Sequence, residues 1–243
     1  MNATRRAAVV TGVFFLLTEI SAIGGMILYG PLLAGTDYIV STGTDTNVLL
    51  GAMFEIVLVI SNVGTAIAVY PIVRRHSESL ALGYLGARLL ESAIIVVGII
   101  SLLTVVTLKQ DLAGTSDADP ATLVTVGRSL LAIHEWTFLF GPNFALGTAT
   151  LLLASLMFTS RLVPRAIAVL GLAGGALVSG SAVAVMFGAY EQLSMVGFLV
   201  ALPVFAWEVS LAVWLILKGF SPSALAAINA PRAGTAVVAG VSR

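Results

Sequence analysis

Residues 7–29 read AAVVTGVFFLLTEISAIGGMILY, after the basic start MNATRR. The apolar region of a secretory signal peptide runs only about 7–15 residues and ends at a small-residue cleavage site. This run has about 23, enough for a helix rising 1.5 Å per residue to cross a hydrocarbon core of about 30 Å. The segment therefore reads as a retained first transmembrane span, and it sets the expectation for the rest of the chain.

Five further stretches of spanning length follow, at roughly 48–70, 80–106, 129–158, 166–188 and 195–217. Gly30-Pro31 is expected to end the first span and Pro71 the second, and Pro164 separates the fourth from the fifth. Asp119-Pro120 has the form of an N-cap followed by proline at the first helical position, so the fourth helix should begin outside the bilayer. Composition agrees. The 243 residues are 58% apolar and only 10% charged, where soluble domains carry about 25% charged residues. Mean hydropathy is +1.05. The expected fold is all-α: a polytopic membrane protein with six transmembrane helices in one bundle over residues 1–218. The Ala/Gly/Pro/Ser-rich segment 219–243 lacks a periodic face and reads as a flexible cytoplasmic tail.

Nine of the chain's twelve Lys and Arg residues fall on one side of this layout: Arg5, Arg6, Arg74, Arg75, Arg161, Arg165, Lys218, Arg232 and Arg243. Lys109 and Arg128 fall on the other, and Arg88 lies inside a span. By the positive-inside rule both termini are cytoplasmic. The expected location is a bacterial cytoplasmic (inner) membrane, with the lipid bilayer as the first partner. A formal net charge of zero offers no footprint for nucleic acid. Gly171, Gly175 and Ser179 recur at four-residue spacing in span five, which fits close helix packing within the bundle or a homodimer seam.

The informative residues are the polar ones inside the spans. Five of the seven glutamates lie in or near spans: Glu19, Glu55, Glu91, Glu135 and Glu208, joined by Arg88 and His134. A charge at mid-bilayer costs about 2.5–3.5 kcal/mol on insertion scales, so such groups face the bundle interior and find partners. Counting helical rise from the cytoplasmic end puts Arg88 about 12 Å deep, Glu208 about 14, Glu91 about 16, Glu19 about 18 and Glu55 about 22. His134 and Glu135 come out near 36 Å, at the outer mouth of span four, above Pro142 and Asn143. Arg88 and Glu91 are three apart and share a helix face, with Tyr84 a turn below. Glu55 and Asn62 also share a face. Pro203 should kink span six and free a backbone carbonyl, and Pro142 should do the same in span four; broken helices at depth often line transporter sites. Several carboxylates face one obligatory cation, since arginine stays charged. Either some glutamates are protonated, or a cation is bound among them.

Some chemistries drop out. With no cysteine there is no disulfide, thiolate metal site or Fe–S cluster. No lysine lies within a span, so a retinal Schiff base has no anchor. His76 and His134 are the only histidines, so bis-histidine haem in the bilayer and a three-histidine zinc site are both excluded. No P-loop or other nucleotide motif is present. Whether a metal binds the carboxylates is left open by their spacing.

Four stretches resemble the family "domain of unknown function 4386": LLGAMFEIVLVISNVGTAIAVYPIV (49–73), LALGYLGARLLESAIIVVGIISLL (80–103), HEWTFLFGPNFALG (134–147) and LVPRAIAVLGLAGG (162–175). The resemblance runs over about residues 5–220. It implies a multi-span membrane protein and assigns no catalytic residue. Three readings stay open. Glu19, Glu55, Arg88, Glu91 and Glu208 could form a site that binds or moves a small solute, ion or proton, with His134, Glu135 and Asn143 at its outer mouth. They could be the static network of a structural, sensory or accessory subunit. Or Glu55, Glu135 and His134 could serve an intramembrane, metal-assisted enzyme acting on a lipid or apolar substrate.

Overall fold

The computed structural model describes residues 2–33, 38, 44–113 and 120–230. Asp119, Arg232 and Arg243, which entered the sequence reading, lie outside them. The described chain is helical throughout: α1 (Ala3–Leu33), α2 (Thr46–Val73), α3 (Glu78–Ala113), α4 (Pro120–Leu139), α5 (Leu146–Ser160), α6 (Arg165–Met186), α7 (Met195–Leu217) and α8 (Pro222–Asn229). A π-helical turn, Phe140–Ala145, runs α4 into α5 as one continuous span. Six spans result that are long and apolar enough to cross a membrane, which makes this a multi-pass membrane protein.

Neighbouring spans close a ring. α1 packs on α2 and α7, α2 on α3, α3 on α4 and α5, α5 on α6, and α6 on α7. Outward positions such as Ile20, Ile27, Ile60, Ile67 and Ile100 stay more than half exposed. In a bilayer the outer face is as apolar as the core, so the two faces differ little in polarity. The six-span layout puts the start of α1 and the end of α7 on one side, and the contacts agree. Arg5 Nη1 donates to the Leu215 carbonyl at 2.8 Å and Nη2 to that of Ile216 at 2.5 Å. A guanidinium there satisfies the orphan carbonyls at the C-terminus of α7 and sits at its negative dipole end. Gly219 follows at φ 78, a left-handed conformation that glycine adopts without penalty, and its N–H closes onto the Trp214 carbonyl.

Several helix ends differ from the sequence expectation. α1 continues through Gly30-Pro31 to Leu33, and α2 through Pro71 to Val73. A proline near a helix end removes only one ladder bond, too little to stop a helix held by packing. α3 runs on to Ala113, carrying Lys109 inward, where its Nζ pairs with Asp45 Oδ1 at 2.8 Å. Burial pushes the Asp45 carboxyl up, but hydrogen bonds from Lys109, Tyr38 and Gln110 outweigh it and hold it below the usual carboxylate value. Residues 222–229, expected in a structureless tail, form α8 instead. Ser221 N–H donates to the Leu162 carbonyl at 2.9 Å, Ala224 is buried, and Leu225 and Ile228 pack on the core. The rest of that tail, 231–243, lies outside the described residues.

The Gly171/Gly175/Ser179 stripe is used inside the bundle. A Cβ at Gly171 would meet the Trp207 ring at 2.6 Å, one at Gly174 the Val204 backbone at 2.7 Å, and one at Gly175 the Leu151 side chain at 2.9 Å. Glycine lets α6 approach both α5 and α7, and that approach seats Trp207 and Glu208 in the interior.

Candidate functional site

Arg88 is the hub of a buried polar cluster. It is 2% exposed, and Glu91 and Glu208 are each 4% exposed. Its Nη1 donates to Asn62 Oδ1 at 2.8 Å and to Glu91 Oε2 at 3.1 Å. Nη2 pairs with Glu208 Oε1, and Nε reaches the Tyr84 hydroxyl at 3.4 Å. The rings of Phe15 and Tyr84 lie 5.6 and 5.7 Å from the guanidinium carbon. Tyr84 OH also bonds Thr65 Oγ1 at 3.1 Å, and Thr65 donates to the Asn62 carbonyl. Helices α1, α2, α3 and α7 thus all contribute to one knot. The local reasons are plain. Arg88 and Glu91 meet because they are one turn apart on α3, and Asn62 and Thr65 meet for the same reason on α2.

Glu19, on α1, lies beside Glu208, within reach of a hydrogen bond between the two side chains and of the charges on Arg88 and Glu91. The depth count therefore finds real neighbours in Glu19, Arg88, Glu91 and Glu208. Glu55 stands nearer the end opposite the termini, its Oε2 accepting from the Tyr29 hydroxyl at 2.9 Å.

A cavity of about 870 Å³ joins these residues. Arg88, Glu91, Glu208, Glu19 and Asn62 line its deep part. Exposed Glu135, on α4, and Glu191, in the α6–α7 loop, line its outer part. Its mouth is thus at the end of the bundle away from the termini. On the other side of the cluster Phe15, Val69, Tyr84, Leu153, Trp207 and Leu211 pack without exposure above 1%.

The predicted mouth residues divide. Glu135 is at the rim. His134 is not: it is 6% exposed, edge-on to Tyr29 with centroids 5.8 Å apart and stacked on Phe138 at 6.5 Å. It is buried because Tyr29 of α1 and Gly98 of α3 pack against it, contacts that a depth count along its own helix does not contain. Asn143 is half-buried on the π turn and does not line the cavity, although Pro142 does. The expected break at Pro142 takes the form of that π turn, with the Leu146 N–H bonding five residues back to Gly141. Proline has no N–H for the regular ladder, and the wider register absorbs the defect. Gly141 rests against α3 beside the Glu91 carbonyl.

Phe15, Tyr29, Thr65 and Glu191 belong to the site, and the sequence reading did not single them out. Thr65 could have been found three residues from Asn62. Glu191 lies between spans, where a carboxylate is unremarked. Among the described residues no three His, Asp or Glu side chains converge as a metal-ligand set, and Glu55, Glu135 and His134 do not form one.

The family description "Domain of unknown function (DUF4386)" matches residues 10–219. No curated protein and no solved structure matches the chain.

Proposed function

We propose that this chain, which belongs to the DUF4386 family, binds or moves a small solute, ion or proton at the carboxylate–arginine cluster inside its bundle. One observation carries the reading: the buried Arg88–Glu91–Glu208 knot and the adjoining Glu19 form the floor of a large cavity that reaches exposed residues at one end. A network that only sets helix register has no need of a cavity on its face. Three carboxyls around one guanidinium leave two charges to be met by protons or by a bound cation. Occupancy and protonation are then linked, which is the physical basis for coupling a solute to protons.

Nine basic residues on the side of the termini favour that side as cytoplasmic, in a bacterial inner membrane. The cavity then faces outward, and the packed layer from Phe15 to Leu211 is the inner seal. The π turn at Pro142 and the proline within α7, Pro203, flank the cluster and are the places where helices could flex.

The test is a panel of inorganic cations, anions, amines and neutral solutes presented to proteoliposomes on a solid-supported membrane, reading transient currents. At least one class should give a current in wild type that Glu19→Gln and Glu208→Gln each abolish. No current with any class, or currents unchanged in both variants, would overturn the reading.

A further inference from the structure

We propose that the cavity takes an organic monocation with an apolar body, a protonated or quaternary amine, with its charge beside Glu19 and Glu55 and its body along an aromatic wall. This rests on reading the cavity as a binding or transport site.

Charge comes first. Six of the chain's seven glutamates line the cavity: Glu19, Glu55, Glu91, Glu135, Glu191 and Glu208. Among the described residues, Arg88 is the one guanidinium or ammonium that lines it with them, and the imidazole of His134 lines it too. Every nitrogen of that guanidinium is already engaged, by Asn62 and Glu91, by Glu208 and by Tyr84, and rings lie beside it. An anionic ligand would have to displace these bonds and enter a field of carboxylates. A cation meets Glu19 and Glu55, neither of which has an ion-pair partner among the described residues.

Shape comes second. At about 870 Å³ the space is of the size that holds a small organic molecule, and no convergent ligand set for a bare metal ion is found among the described residues. Beside Glu55 the rings of Tyr29, His134 and Phe138 stand in contact as one continuous wall. A carboxylate next to aromatic faces recognises an ammonium by charge and by cation–π attraction together.

The experiment uses the full chain in nanodiscs of phosphatidylcholine and two probes of one shape and opposite charge, tetraphenylphosphonium and tetraphenylborate. Each is measured alone by calorimetry. The phosphonium should bind saturably and the borate should not. Glu55→Gln should weaken the phosphonium by about tenfold or more. Glu55→Asp should keep most of the affinity, and Glu78→Gln, at an exposed position off the cavity, should leave it unchanged. Equal binding of both probes would overturn the proposal, as would an affinity unmoved in Glu19→Gln and Glu55→Gln together. If the phosphonium fails to bind while another solute class still gives currents sensitive to Glu19→Gln, this assignment falls and the site reading stands. If both fail, both fall.

Discussion

Arg88 holds its place through geometry that only a guanidinium supplies. Its planar fork reaches Asn62, Glu91 and Glu208 at once, and Nε still reaches Tyr84. Lysine offers one compact ammonium and cannot make that set. Removing the cation altogether leaves Glu91 and Glu208 buried without it, a loss of about 3–5 kcal/mol. Arg88→Ala should therefore lower the unfolding midpoint in detergent strongly, and Arg88→Lys should fall between it and wild type. Equal midpoints for all three would show the knot to be energetically idle. Much of the knot was legible residue by residue. The three-residue spacing of Arg88 and Glu91 gives a shared face, and the helical rise puts Glu19 and Glu208 at their depth. Asn62 as an acceptor for Arg88 was not legible, because a shared face with Glu55 says nothing about which helix that face meets. His134 was misplaced for the same kind of reason: its burial comes from Tyr29 of α1 and Gly98 of α3 packing against it, which its own span does not reveal.

At the scale of elements, hydrophobic length alone predicts six spans, because an unbroken apolar run of about 20 residues satisfies its backbone in lipid as a helix, whereas a barrel strand needs only about 9–11. Boundaries were less legible. Gly30-Pro31 and Pro71 are breakers by propensity, but packing carries both helices past them. α8 was missed because eight residues at the chain's polar end carry little pattern; its stability comes from Ala224, Leu225 and Ile228 meeting the core. The glycines of α6 allow a graded test. A Cβ at Gly174 would fall 2.7 Å from the Val204 backbone, while one at Gly180 meets nothing within 4 Å. Gly174→Ala should cost about 1–3 kcal/mol through overpacking, and Gly180→Ala should be neutral or slightly stabilising. Unfolding midpoints of the two variants in one detergent decide it. A neutral Gly174→Ala would mean that α6 and α7 are not in the close contact described.

For the whole molecule, the question is whether a buried ionic knot at the floor of a cavity serves packing or passage. Both uses predict burial, pairing and helix convergence, so those features cannot separate them. The two diverge once the charges are removed without leaving a hole. The triple variant Arg88→Met, Glu91→Leu, Glu208→Leu replaces the knot by apolar volume, a change that leaves buried networks equally stable or more so. Measured as transient currents from proteoliposomes, with the unfolding midpoint of the same preparation, this variant is predicted to stay folded at wild-type stability or above and to carry no solute-dependent current. A folded triple variant with wild-type currents would contradict the account, and the knot would then be a static element of the fold.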